Sequence, residues 1–297
     1  MILVVGATGV LGREVTKRLL AEGRAVRGTT RHADRADDLR ELGAEVVYAD
    51  LIDRASLARA CEGAGAVLAA AHSLMGTGTY ASKAVDGDGH RALIDAAKAA
   101  GVERFVYTSA RGATPDHPVD FMRTKVAIEG YLRQSGVDFT ILRPSAFMEW
   151  HVHRLLGLSI LQSGTATVFG SGNASTNFIA ADDLARYACI ALTAPGLRGR
   201  TYDVGGPDNV SRRQVVAMYE RHAGRSAKVR YVPLAVMRAM APLLRPIAPV
   251  PSRLMAMSVW GETTDQTFDA STLPQELPAP TRHVDDFVRH AVNASRS

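Results

Sequence analysis

The stretch MILVVGATGVLG, residues 1–12, decides the fold. An apolar run at residues 2–5 meets Gly6, Gly9 and Gly12 and passes straight into REVTKRLLAEG, which has helical spacing. A strand, a glycine turn and a helix in that order form the element that holds a dinucleotide diphosphate. The first glycine permits the tight turn, the second lets backbone approach phosphate, and the third lets helix pack on strand. Thr8, Val10 and Leu11 complete the loop that would wrap the anion, and the helix start adds unpaired N–H groups and the positive end of its dipole.

The next strand bears on which dinucleotide is bound. RAVRGTTR (24–31) reads as that strand, ending near Thr30. A site for NAD(H) places Asp or Glu there, to accept from the ribose 2′-hydroxyl. This chain has Thr30 and Arg31, with Arg35 a turn later and no carboxylate before Asp34. Guanidinium groups suit a 2′-phosphate through paired, charge-assisted hydrogen bonds. The expectation is NADP(H) in preference to NAD(H); the alternative is that both arginines are solvated surface residues.

Composition narrows the class. The chain has 297 residues, 46% hydrophobic and 22% charged, which is ordinary for a globular protein with a large core. Its net charge of +5 comes from cations scattered among acids, so no nucleic-acid footprint is expected. Cys61 and Cys189 lie far apart in apolar helical contexts, read as buried thiols in a reducing compartment, and no metal-ligand spacing occurs. A strand opening at Ile2 is expected to leave no room for a leader, and no apolar run approaches the ~20 residues of a membrane span. The reading is a cytoplasmic protein, monomer or homodimer, with a small-molecule substrate and neither a membrane nor nucleic acid as partner.

Strand and helix patterns alternate through the first half: strands at 44–50, 64–72, 101–110 and 137–144, with helices at 53–62, 86–100 and 119–135. Such βαβα regularity implies a doubly wound parallel sheet, the Rossmann fold, with ligands at the carboxyl ends of the strands. After Pro144 the pattern loosens. Loop and helix fill 145–161, a short strand and turn 164–173, a helix capped by Asp182 or Asp183 180–194, and a late strand 199–207. A helix from 211, a short strand (KVRYVP) and a Met-rich helical stretch follow. This predicts a dinucleotide-binding core over 1–145 and a smaller C-terminal substrate lobe over 146–297, interleaved with late core elements at about 178–206.

Several segments together resemble a known group, the atypical short-chain dehydrogenase/reductases of the NmrA-like and isoflavone-reductase-like branch. They are GATGVLG (6–12), YADLID (48–53), LIDAAKAAGVERFVYTSA (93–110), KVAIEGYLRQSGVDFTILRPSAFME (125–149), FIAADDLARYA (178–188) and YDVGGP (202–207). The resemblance implies that Asp50 and Leu51 border the adenine and that Ala70 and Ala71 pass the cofactor's middle. Thr108 and Ser109 would lie under the nicotinamide ribose, with Pro144 and Phe147 beside the nicotinamide. One departure matters. Members of the wider family carry Tyr-x-x-x-Lys on the helix after the fifth strand, where this chain has Phe121 and Lys125. Spacing of four keeps both on one helical face, but a phenyl ring has no proton to give a developing alkoxide.

The resemblance to the isoflavone-reductase-like branch implies that Lys125 serves both the nicotinamide ribose and acid/base work; alternatively it only binds ribose hydroxyls, or is a solvated helix residue. Ser109 is the candidate for polarising a substrate carbonyl, with a local backbone cap as the other reading. His72, His117 and His151 are further candidate proton donors, as are Tyr80 and Tyr107, the latter expected to point into the sheet packing. Phe121, Met148, Trp150, His151 and Phe178 are expected to line an apolar or aromatic substrate pocket, or else to be lobe core. The apolar segment 234–257 suits a lid over substrate better than a membrane-surface helix, because Pro242, Pro246, Pro249 and Pro251 interrupt it. The predicted function is an NADPH-dependent reductase of a small carbonyl or enone. The alternative is an NADP(H)-binding sensor without turnover, and an epimerase or dehydratase ranks last because it would need the missing phenol.

Overall fold

The computed structural model describes residues 1–296. Seven strands form the principal sheet: β1 (Ile2–Val5), β2 (Val26–Thr30), β3 (Glu45–Tyr48), β4 (Ala66–Ala69), β5 (Arg104–Thr108), β6 (Phe139–Pro144) and β10 (Arg200–Val204). Their order is β10-β6-β5-β4-β1-β2-β3, so the winding reverses between β1 and β4. Ile2 pairs in parallel with Val26 on one side and with Ala66 on the other. Hydrogen bonds from Gly199 N–H to the Phe139 carbonyl and from Ser145 N–H to the Val204 carbonyl run β10 parallel to β6. In an open parallel sheet the reversal point opens a crevice at the carboxyl ends of the central strands.

The alternation of side chains explains why both faces are covered. Leu3, Val67, Phe105 and Ile141 point to one face, against α3 (Arg54–Cys61), α4 (His90–Ala99) and α5 (Asp120–Gln134). Val4, Leu68, Val106 and Leu142 are equally buried on the other face, where α1 (Val10–Ala21) buries Leu11, Val15 and Leu19. Strands buried on both faces are continuous apolar runs, as β1 and β4 are. The helix expected at 86–100 begins earlier, as a π-helical segment over Lys83–Gly89 that runs into α4.

The chain divides into two compact units. The first comprises Met1–Arg143, Leu184–Asp203 and Pro274–Pro278, and the second Pro144–Asp183, Val204–Leu273 and Ala279–Ser297. In the second, β7 (Ala146–Phe147), β9 (Ser175–Ile179) and β11 (Asn209–Ser211) make a small sheet, and β8 (Thr165–Phe169) pairs in parallel with β12 (Lys228–Val232). Its core gathers Met148, Val152, Leu156, Phe178, Tyr219 and Val288. The sequence patterns did not predict β9. Its middle residue Asn177 is buried and polar, and its amide bonds the backbone of Gly206 and Asp208, which hides the apolar alternation. The expected Met-rich helical stretch forms two helices, α9 (Leu234–Leu244) and α10 (Pro249–Thr263), and Pro242 sits inside α9 without ending it. No helix among the described residues is long and apolar enough to cross a membrane.

Candidate functional site

At the end of β1 the chain turns at Gly6, whose φ of +90° suits only glycine. A Cβ there would lie 2.8 Å from the Ala71 nitrogen beyond β4, so this turn and the β4 loop touch at the winding reversal. A Cβ on Gly12 would lie 2.1 Å from the Gly6 carbonyl oxygen, which is the close helix-to-strand approach expected of the third glycine. Gly9 caps α1 without any side-chain hydrogen bond, so the first-turn N–H groups are left for an external acceptor. Thr8 and Val10 flank it, and Leu11 is buried in the core. This cradle, with backbone donors and no side chain filling it, fits a diphosphate.

In the first turn of α1 the structure adds a residue that sequence reading missed. Arg13 Nε donates to the Thr8 carbonyl (3.2 Å) and Nη2 to the Arg35 carbonyl (2.7 Å), while Nη1 pairs with Asp38. The glycine loop is thereby tied to the segment holding Arg35, whose own side chain is exposed. Thr30 Oγ1 bonds the His32 backbone, and Arg31 lies 4.5 Å above the Tyr80 ring. Tyr80 donates its hydroxyl to Asp50 (2.8 Å), whose other oxygen accepts from Ile52 N–H, and Leu51 is buried beside them. The hydrogen bond to Asp50 and that carboxylate's charge raise the Tyr80 pKa. Tyr80 therefore belongs with Arg31 and Asp50 and its proton is committed there, contrary to its expected candidacy as a donor.

The other end is built on β5 and α5. Lys125 is buried and donates from Nζ to the Thr108 carbonyl (3.0 Å), with the Tyr107 ring 4.9 Å and the Phe121 ring 5.4 Å from its nitrogen. Burial lowers its pKa, opposed by the charges of Asp86 and Glu129. Ser109 Oγ donates to Glu129 (2.6 Å), which also accepts from Arg143 Nε and Nη2 and from Arg133 Nη2. Burial alone would raise the Glu129 carboxyl, but the Arg143 and Ser109 bonds hold it below its usual range. Ser109's proton is thus given to a buried carboxylate, and the hydroxyl holds helix to strand instead of facing outward as a donor.

Around Lys125 lies a buried polar cluster that sequence reading also missed. Asp86 has no exposed surface; it accepts from Ser73 N–H and from Ser82 Oγ (2.7 Å) and so pins the loop after β4. His90 bonds the Val85 carbonyl through Nδ1 (3.0 Å) and stands edge-on to Tyr107. Burial, then the Lys125 charge, push its pKa down to about 4. Tyr107, fully buried as expected of a mid-strand residue, has its pKa raised by burial. His90 Nε2, Tyr107 Oη and Thr108 Oγ1 are buried without hydrogen-bond partners among the described residues. One signal could have shown the cluster: Asp86 and His90 share the helical face of Leu93 and Ala97, an apolar face with two ionisable groups on it.

The other sequence candidates scatter. His72 stands edge-on to Phe121, 6.1 Å between ring centres. His117 accepts from Val119 N–H at the start of α5, a local bond that orients the loop. Ala70 donates its N–H to the Val5 carbonyl, next to Ala71. Pro144 closes β6, and Phe147, Met148, Trp150, His151 and Phe178 all belong to the second unit. Met148 and Phe178, expected at a substrate pocket, are fully buried in that unit's core, because residues 148, 152 and 156 turn one face of a π-helical segment inward. Trp150 carries the Arg154 guanidinium over its ring (5.3 Å), and burial and the Arg212 charge push His151 to a pKa of about 4.

Residues 6–195 match the family model described as NAD(P)H-binding. The chain belongs to this NAD(P)H-binding family. Its glycine cradle, the Ala71 loop and Lys125 all fall within the matched span. The chain is 30% identical over 240 residues to the photosystem II assembly factor Ycf39 of Trieres chinensis, covering 81% of this chain and 74% of that one. It is 32% identical to the (4-alkanoyl-5-oxo-2,5-dihydrofuran-3-yl)methyl phosphate reductase of Streptomyces griseus, covering 97% and 96%. Among solved structures, an NADPH-dependent quinone oxidoreductase of Escherichia coli complexed with NADPH superposes with a TM-score of 0.80 at 24% identity, over 98% and 99% of the two chains. That likeness establishes the fold, and the expected resemblance to atypical short-chain dehydrogenase/reductases is borne out.

Proposed function

We propose that the protein is an NADPH-dependent reductase of a small conjugated acceptor, an enone or quinone, with Lys125 as the proton-holding group of the site. The observation that carries this is the pairing of a buried Lys125 with Phe121 where a phenol would stand. Reducing an isolated ketone leaves a strongly basic alkoxide, which needs an acid at the oxygen as it forms. Reducing a conjugated acceptor leaves an enolate or hydroquinone anion, whose spread charge needs only a nearby cation and later a proton. NADPH, when bound, supplies the hydride. Lys125 spends one N–H on the Thr108 carbonyl and has two more for ribose hydroxyls and the developing oxyanion. Its lowered pKa makes the ammonium a better donor than an exposed lysine. Two relatives support the acceptor class by name: one reduces an oxo-dihydrofuran phosphate, and the structural neighbour is a quinone oxidoreductase. NADPH is preferred in this reading because β2 ends in Thr30 and Arg31 without a carboxylate, with Arg13 and Arg35 nearby.

The replacement of the phenol and the likeness to an assembly factor favour a second reading, an NADP(H)-binding regulator without turnover. NADPH absorbance followed with quinones, enones and saturated ketones separates the two. The reductase reading expects consumption with conjugated acceptors and little with saturated ketones, and a Lys125→Ala loss of about 100-fold in kcat with NADPH still bound. Tight NADPH binding with no consumption by any acceptor would favour the regulator.

A further inference from the structure

One face of helix α9 turns apolar residues outward. Val236, Met240 and Leu243 lie within an arc of about 60° at 100° per residue, and Ile247 continues the line in the turn that follows. Leu243 and Ile247 are 66% and 78% exposed. The helix is held from another side, where Met237 and Ala241 are buried and Ser252 Oγ of α10 donates to the Ala241 carbonyl (2.6 Å). Arg238 falls on the face opposite the aliphatic stripe. An apolar face, an arginine opposite it and a flank packed on the protein describe a helix suited to an interface between water and lipid.

Charge names the kind of surface. From Arg221 to Gly261 the chain carries seven Lys or Arg and no Asp or Glu, exceeding the +5 net charge of the whole chain. Arg221 is paired with Asp285, Arg225 bonds the carbonyls of Ile160 and Leu161, and Arg253 is buried. Lys228, Arg230, Arg238 and Arg245 are exposed and have no carboxylate partner among the described residues. A helix is about 10–12 Å across, so cations on its far face stay within roughly a Debye length of the plane its near face touches.

We propose that the outer face of α9 docks on an anionic lipid surface, Leu243 and Ile247 entering the boundary between headgroups and acyl chains. This reverses the expectation that the segment is a lid and that the protein has no membrane partner. It stands independently of the catalytic reading. The test is co-sedimentation of the full chain with phosphatidylcholine vesicles and with vesicles mixing phosphatidylcholine and phosphatidylglycerol, at low and high salt. The protein should pellet only with the anionic vesicles, less so in high salt, and a Leu243→Ser/Ile247→Ser variant should bind them at least about tenfold more weakly with unchanged melting and NADPH binding. Absence of pelleting, or full binding by the variant, overturns the proposal. So does a concentration-dependent dimer that the same substitutions dissolve without any vesicle binding, which would make a second copy the occupant.

Discussion

Asp86 has no exposed surface, and its charge acts on the buried Lys125, His90 and Tyr107 around it. Its charge opposes the effect of burial on Lys125 and favours the ammonium form. Asp86→Asn keeps an acceptor for Ser73 but removes that charge. The limb of the turnover profile that needs protonated Lys125 should then move to lower pH; an unmoved profile would dissociate Asp86 from Lys125. His90 makes a stability prediction. Its folded pKa of about 4 lies below the ordinary 6.5, so the unfolded chain takes up a proton that the folded chain refuses. Stability is full above about pH 6.5 and falls as the pH drops towards 4, by about 3 kcal/mol from this residue. Urea unfolding at several pH values should show that loss, and His90→Gln should flatten it.

The elements most exposed to single changes are β1 and α1, because at Gly6 and Gly12 their backbones cross with no room for a side chain. Gly12→Ala would push a methyl to 2.1 Å from the Gly6 oxygen and should cost about 1–3 kcal/mol or prevent folding. Gly9 has ordinary φ, and a Cβ there meets only the Gly6 oxygen at 3.2 Å. Gly9→Ala should therefore fold with little change in melting while weakening NADPH at least about tenfold, since the methyl enters the space a diphosphate needs. Equal binding by Gly9→Ala would place the anion elsewhere. This corner was legible in sequence because every part of it is local: an apolar run, three glycines and a helix, all within residues 2–21. The cluster of Asp86, His90, Tyr107 and Lys125 was not, because three elements far apart in sequence converge on it. Arg13 was hidden for the same reason, its partners Thr8, Arg35 and Asp38 lying on both sides of β2. Met148 and Phe178 misled because aromatic and sulfur side chains suit a pocket and a core equally well.

For the whole molecule, periodicity alone gave the parallel sheet and its winding, since strands buried on both faces spell continuous apolar runs. The later half reads less clearly. Its small sheets are two or three strands wide and rely on buried polar residues such as Asn177, which no hydrophobic pattern reports. The proposed link from fold to function is the glycine cradle at the winding reversal, with arginines and no carboxylate at the end of β2. Calorimetric titration of the purified chain with NADPH and with NADH, repeated on Arg31→Asp, tests that directly. The account predicts saturable binding of both, tighter for NADPH, with the difference reduced or reversed in the variant. Failure to bind either dinucleotide, or equal affinities that Arg31→Asp leaves unchanged, would contradict it.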